Sequence, residues 1–251
     1  MSVDCGDGSA NDQHFLRHGS ALVTAAPCTF ACWFYPEVAG PDCFFWTGDS
    51  STGNDYWHAL HLSGHIRVKI KDSSSSTTVN GTETINLNAW NHFVWLERAS
   101  NARDVFINGV KDIDDNNSDK APTPGNMDRF SLGQLDDDNP TQEFAGRIAD
   151  FAVSSANIGD AGAAALYAGA DPSRVQPADL VEHFRLININ DLTGRRAGTV
   201  LTAGSSPTTG DHHGKIWRPA APLQIGVPAA AGGGLSIPVA MYNYRRRRVR
   251  V

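Results

Sequence analysis

The stretch Ala89-Trp90-Asn91-His92-Phe93-Val94-Trp95-Leu96-Glu97-Arg98, followed by Asp104-Val105-Phe106-Ile107-Asn108-Gly109-Val110, decides the fold. In the first run Phe93, Trp95 and Glu97 alternate with Val94, Leu96 and Arg98, a mixture of aromatic and aliphatic side chains that suits a strand packed on a second sheet. In the second, Val105 and Ile107 alternate with Phe106, and Asn108-Gly109 supplies the left-handed backbone of a tight hairpin turn. The order strand, short loop, strand, Asn-Gly, strand predicts adjacent antiparallel strands.

Working outward, Cys28 to Tyr35 reads as a strand ended by Pro36, Cys43-Phe44-Phe45-Trp46 as another, and residues 13–24 as an edge segment. Tyr56 to Leu62 and His65 to Lys71 flank Ser63-Gly64, a two-residue hairpin signal, with Ile66, Val68 and Ile70 on one face and Arg67, Lys69 and Lys71 on the other, toward solvent. Ser73 to Thr78 reads as a polar, mobile tip and Asp112 to Asn126 as a long loop with little to bury. After a strand at Phe144 to Val153, residues 160–168 form the one good helix, with Gly169 as its stop. Asp179 to Leu186 is a strand, and Leu192 to Val200 is expected to return to the same body.

These runs together resemble the laminin-G-like, concanavalin A-like lectin-glucanase jelly-roll family. A W-x-H strand followed by a V-x-x-Y/F-V/I-N-G hairpin falls on Trp90, His92, Phe106, Asn108 and Gly109. Residues 7–12 resemble the opening DGxND, Thr29 to Pro36 the FTISAWVYP strand, and Phe130 to Gly133 with Phe144 to Phe151 the closing strands. Residues 161–167 resemble the family's AEIAALY helix, and Leu192 to Val200 a segment that in many members comes first. The resemblance implies an all-β antiparallel jelly-roll sandwich with one short helix; the change to Pro-, Gly- and Ala-rich composition from Pro219 on divides the chain into that domain, 1–222, and an extended C-terminal arm, 223–251.

At 251 residues and 41% hydrophobic composition, the chain suffices for one such sandwich with a sizeable core. No window approaches the roughly 18 continuous apolar residues of a membrane span, so no membrane partner is expected. Met1-Ser2-Val3-Asp4-Cys5 has neither a basic start nor an apolar run, so no secretory leader is read there. Cys5, Cys28, Cys32 and Cys43 lack Cys-x-x-Cys spacing and read as core thiols, the alternative being that Cys5 pairs with a later cysteine.

Glycosidases of this fold use two carboxylates, one nucleophile and one acid. The five glutamates, Glu37, Glu83, Glu97, Glu143 and Glu182, never lie two or four residues apart, so the chain is read as non-enzymatic, with Glu97 a solvated or paired strand residue. His58, His61 and His65 read as surface or half-buried rather than as metal ligands, since alternation separates the first two and a turn the third. His212-His213 has no third ligand nearby in sequence. No cofactor is certain; calcium is the best ion candidate, because the fold often holds it on Asp and Asn oxygens. Here Asp136 and Asp138, with Asp7, Asn11 and Asp12, are the candidates. The competing reading is a solvated acidic loop. For carbohydrate binding the candidates are Trp46, Tyr56 and Trp57, which flank residues 48–55; large aromatics in a sandwich are more often core.

Charge is unevenly placed. The chain holds 21 basic and 27 acidic residues, and Arg245, Arg246, Arg247, Arg248 and Arg250 account for five of the basics. They follow a Pro/Gly/Ala linker and a segment in which Leu235, Ile237, Val239 and Met241 alternate, as in a strand without a partner in its own chain. An acidic body is a poor match for nucleic acid, so these nine residues read as an anchor to an assembly. Tails of this kind resemble those of phage and prophage structural proteins. The expectation is a virion protein, a capsid decoration or tail-associated jelly roll assembled in the bacterial cytoplasm. Its expected partners are other virion proteins, itself, and a cell-surface glycan. A free lectin-like module is the second reading and a glycoside hydrolase the third.

Overall fold

The computed structural model describes residues 2–6, 15–73, 75–117, 120–137, 141–187, 190–203 and 208–210. In chain order the strands are β1 (Ser2–Asp4), β2 (Leu16–His18), β3 (Cys28–Pro36), β4 (Asp42–Gly48), β5 (Tyr56–Leu62), β6 (His65–Asp72), β7 (Ser75–Asn80) and β8 (Asn91–Ala99). There follow β9 (Ala102–Ile107), β10 (Val110–Asp115), β11 (Arg129–Leu132), β12 (Gly146–Ser154), helices α1 (Gly159–Tyr167) and α2 (Pro172–Val175), and β13 (Leu180–Phe184), β14 (Thr202–Ala203) and β15 (Thr208–Gly210). The described residues belong to a unit spanning Met1–Arg218, and the whole of the expected arm lies outside the described residues.

Two antiparallel sheets face one another, as a jelly-roll sandwich requires. One runs β10-β9-β8-β3-β12-β1-β15, with β13 beside β1 along β12; the other runs β14-β2-β11-β4-β5-β6-β7. Alternation decides which residues meet between them: Phe30, Cys32 and Phe34 of β3, Phe93 and Trp95 of β8, Phe45 of β4, Trp57 and Ala59 of β5, and Ile66, Val68 and Ile70 of β6 share one core. Phe45 lies 4.4 Å from Phe30 and 5.4 Å from Phe151, ring centre to ring centre, so the two layers interlock through aromatic edges.

Both expected hairpin turns form. Ser63 and Gly64 have φ of 53° and 84°, and Asn108 and Gly109 have 51° and 82°, the paired left-handed residues of a two-residue turn. Gly109 is doubly required, because a Cβ there would stand 2.5 Å from the ring of Tyr167. Helix α1 lies on the outer face of the first sheet, where Ala163 and Leu166 close a smaller cluster over Ala31, Val94, Leu96 and Phe106. It stops at Gly169, at φ 91°. A single turn, α2, joins it there beyond the one helix expected.

Two expectations are corrected. Ser75 to Asn80 is not a loose tip but the edge strand β7, paired with β6 from Arg67↔Asn80 to Asp72↔Ser75. Asp112 to Asp115 is strand, paired with β9, and the next stretch is held by Asp55, which is fully buried and accepts from Thr123 N at 2.7 Å and Asn126 Nδ2 at 2.8 Å. The polar composition of both segments hid a role in backbone pairing and capping. Glu97 is paired but not solvated: it and Arg103, opposite each other on β8 and β9, are both 0% exposed. The four cysteines are all buried and free.

The segment after β13 returns to the body through one carboxylate. Glu182, buried at 0%, accepts from the backbone N–H of His183 (3.0 Å), Arg196 (2.7 Å), Ala197 (3.1 Å) and Thr199 (3.0 Å). Burial pushes this carboxyl upward, but the N–H groups of Arg196, Thr199 and His183 outweigh it and hold it below the usual range. Glu182→Gln leaves one acceptor oxygen in place of two, so the amides of Arg196, Ala197 and Thr199 should exchange at least tenfold faster with deuterium while β3 and β8 keep their protection. The carboxylate's stabilisation is complete above the unfolded pKa and disappears as pH falls through the lower folded value. Unchanged exchange in the variant would remove Glu182 as the staple.

Candidate functional site

The two outer faces of the sandwich are used differently. On the first sheet, the outward residues of β3 and β8 are largely covered: Trp33 lies 4.7 Å from His92 and 6.1 Å from Tyr167 of α1, and Tyr35 packs 5.6 Å from Trp90 and 4.9 Å from the Arg147 guanidinium. This face holds the helix.

The seven-stranded sheet presents a different surface. Cross-strand register sets one row of side chains side by side: Thr202, Arg17, Ser131, Trp46, His58, Lys69 and Thr78. The next row carries Tyr56, Lys71 and Ser76, and a third Leu60, Arg67 and Asn80. All alternate with core residues and therefore point outward. Leu135 folds over Trp46 and Tyr56, so the β4 side is covered, whereas β7 leaves Ser76, Thr78 and Asn80 exposed.

The cations on the open side are held at spaced positions. Lys69 Nζ and Lys71 Nζ stand 5.6 and 5.9 Å from the Tyr56 ring centre, within cation–π range. Lys71 Nζ also donates to Gly53 O at 2.8 Å, and Arg67 Nε donates to Asn80 Oδ1 at 2.7 Å. Among the described residues no carboxylate pairs with Arg67, Lys69 or Lys71; at the nearby rim Lys120 takes Asp72 at 3.1 Å. Under Lys69, His58 is 2% exposed, and burial, aided by that ammonium, pushes its imidazole down to about 3. The face thus offers fixed ammonium and guanidinium donors, hydroxyls and an amide.

The expected aromatic candidates are placed differently from an exposed platform. Trp57 is 0% exposed in the inter-sheet core, Trp46 is 0% exposed and Tyr56 5% exposed on the outer side beneath Leu135 and the lysines. Alternation separates Trp57 from its neighbour Tyr56, and the returning 133–137 segment hides Trp46. His58 and His61, expected to be surface or half-buried, are both buried: His58 lies between Trp46 and Lys69 in the cross-strand row with the Tyr56 ring 6.1 Å away, and burial also lowers His61. What went unrecognised is the triplet Arg67, Lys69 and Lys71, visible as alternating bases but read as a solvated face.

Of the calcium candidates, Asp136 is 2% exposed with Oδ1 3.5 Å from Arg129. Asp7, Asn11, Asp12 and Asp138 lie outside the described residues, as do His212 and His213. Among the described residues no three His, Cys, Asp or Glu side chains converge on a metal-sized point. The carboxylates of Glu97 and Glu182 are enclosed by their partners, and Glu37 pairs with Arg147 at 2.9 Å. No described helix is long and apolar enough to cross a membrane.

A family model described as the concanavalin A-like lectin/glucanases superfamily matches residues 8–162. No curated protein matches the sequence. Among solved structures, a native heptameric SAP-like pentraxin from Limulus polyphemus is similar at TM-score 0.61 and 13% identity, over 84% of this chain and 95% of that one. A putative carbohydrate binding protein from Bacteroides ovatus gives 0.59 and 13%, over 84% and 61%. The Ruminococcus gnavus IT-sialidase CBM40 bound to α2,3 sialyllactose gives 0.52 and 12%, over 57% and 84%.

Proposed function

Because the chain belongs to the concanavalin A-like lectin/glucanases superfamily, with a lectin-like jelly-roll fold, we propose that it is a non-catalytic carbohydrate-binding module whose ligand lies on the open half of the seven-stranded sheet. The observation that carries this reading is the register that lines up Lys69 with Thr78 and Lys71 with Ser76, setting hydrogen-bond donors of fixed spacing beside exposed hydroxyls. Sugars are recognised by such convergent polar groups. The non-catalytic reading is supported by the enclosure of Glu97 and Glu182, since a glycosidase needs two carboxyls flanking an accessible bond.

The test is binding of the full chain to an immobilised panel of neutral and acidic oligosaccharides, run with calcium chloride and again with a chelator. Binding to at least one saccharide is expected, and Ser76→Ala with Thr78→Val should weaken it about tenfold, the worth of two modest hydrogen bonds. Binding to no saccharide, or binding indifferent to that pair, overturns the reading. Loss with the chelator alone would bring calcium at Asp136 and Asp138 into the site.

A second proposal concerns where the module is displayed. The alternation of Leu235, Ile237, Val239 and Met241 ahead of five arginines supports an arm that anchors the body to other proteins of a phage particle. Burial of each aliphatic is worth roughly 1.5–3 kcal/mol, and the arginines add a salt-sensitive part. Replacing Arg245 to Arg248 with Ser should release the protein from sedimented particles at modest ionic strength, whereas Ile237→Asp with Val239→Asp should release it at every salt concentration. Particles that retain both variants like the parent overturn the anchor.

A further inference from the structure

We infer that the ligand of the open face is an anionic glycan, one bearing carboxylate or sulfate groups along its length, held by Arg67, Lys69 and Lys71. The inference rests on the carbohydrate-binding reading above and specifies the chemical class.

The argument is one of charge without a partner. Outward side chains of one strand recur about every 6.7 Å, so β6 presents three cations in a line along its length. The chain as a whole carries a formal charge of −6, yet no carboxylate among the described residues answers these three. Elsewhere the same body pairs its bases closely: Arg98 with Asp104 and Asp114, Lys111 with Asp104 and Asp160, Arg147 with Glu37. Three cations collected on one strand repel each other, and a bound polyanion relieves that repulsion.

Their stems are also restrained. Lys69 and Lys71 share the Tyr56 ring, and Arg67 spends only its Nε on Asn80, which leaves its terminal nitrogens directed at no described side chain. A guanidinium anchored in this way offers a fork to a carboxylate or sulfate. The neighbouring β7 supplies hydroxyls at Ser76 and Thr78 rather than aromatic rings, which suits sugar hydroxyls and gives nucleic acid bases nothing to stack on.

The experiment measures the full chain against four immobilised probes, polygalacturonate, dextran sulfate, neutral dextran and a single-stranded oligothymidylate, at low and high sodium chloride. The expected result is binding to one or both acidic polysaccharides at least tenfold tighter than to neutral dextran, weakened by salt. Arg67→Ser, Lys69→Ser and Lys71→Ser together should lower it by at least tenfold, a loss of about 1.4 kcal/mol. Lys69→Arg with Lys71→Arg should retain it. Should the triple variant melt early, Thr78→Glu provides a second route: it places a carboxylate opposite Lys69 while removing no cation, and should also lower the affinity. Equal or tighter binding to neutral dextran, or acidic binding untouched by both variants, overturns the inference and leaves the carbohydrate reading standing. Binding to none of the four probes overturns the inference alone, and tighter binding to the oligothymidylate than to any polysaccharide overturns both.

Discussion

Arg103→Ala is expected to lower the stability of the sandwich by about 3–5 kcal/mol, the cost of stranding a buried carboxylate. The guanidinium is 0% exposed and donates through Nε to Glu97 Oε2 at 3.1 Å, through one terminal nitrogen to Glu97 Oε1 at 3.1 Å, and through the other to Asp115 Oδ2 at 3.0 Å. Trp95 Nε1 completes the set on Glu97 Oε2 at 2.9 Å. Burial pushes the Glu97 carboxyl up to about 7, while Arg103 and the indole pull against it, so the group tolerates no loss of a donor. Urea denaturation reads the effect as a lower midpoint at unchanged slope. The double variant Glu97→Leu with Arg103→Met removes both charges and should recover most of the stability, which separates stranded charge from lost volume. A single variant within about 1 kcal/mol of the parent would show that the pair contributes little to folding.

In mild acid two buried histidines are expected to make a contribution of comparable size against folding. His58 and His92 are 2% and 3% exposed, and burial pushes both imidazoles down to about 3, with Lys69 adding to the effect at His58. Above the ordinary value near 6.5 both folded and unfolded chains carry them neutral, and stability is indifferent to pH on their account. Below it the unfolded chain takes up two protons that the folded chain refuses, so stability falls by up to about 1.4 kcal/mol per histidine per pH unit. At pH 5 the two together amount to about 4 kcal/mol. His58→Met and His92→Met should each remove about one proton from the slope of urea midpoint against pH between 6.5 and 5. Variants whose slope matches the parent's would mean that the imidazoles accept protons in place; the parent's own profile also carries the raised carboxyls of Glu97 and Asp42, which take up protons in the folded chain over the same window and act in the opposite direction.

How far the molecule is legible from its residues depends on which face of a strand is considered. The inward faces were legible, because alternation such as Phe93, Trp95 against Val94, Leu96 admits one register against a core, and because two Gly-containing turns require left-handed backbone. Outward faces were not. Whether Trp46 meets water depends on Leu135 returning across the sheet, an encounter between residues far apart in the chain that no local pattern records. The same holds for Asp55 and Glu182, which look like ordinary surface acids until the loops they cap arrive from residues 123–126 and 196–199. Ser75 to Asn80 misled for a related reason: an edge strand exposes most of its side chains, so its composition resembles that of a loop. Of the candidate site, the alternating bases of β6 were visible, while the absence of answering carboxylates among the described residues required the fold.

The placement of β1 bears on how the protein is made. Val3 lies opposite Ile148 on one side and Thr209 on the other, and Leu16 and Arg17 of β2 lie between Leu132 or Ser131 and Ala203 or Thr202. Strands β1 and β2 therefore find their neighbours only after strands far downstream in the chain have been synthesised. At about 5–20 residues per second, β1 spends on the order of ten seconds or more without a partner edge. During that interval the hairpins β5–β6 and β8–β9, whose contacts are local, can already form, while closure of both sheets waits on distant pairings and is correspondingly slow. The nascent chain is in this sense assembled from its centre outward.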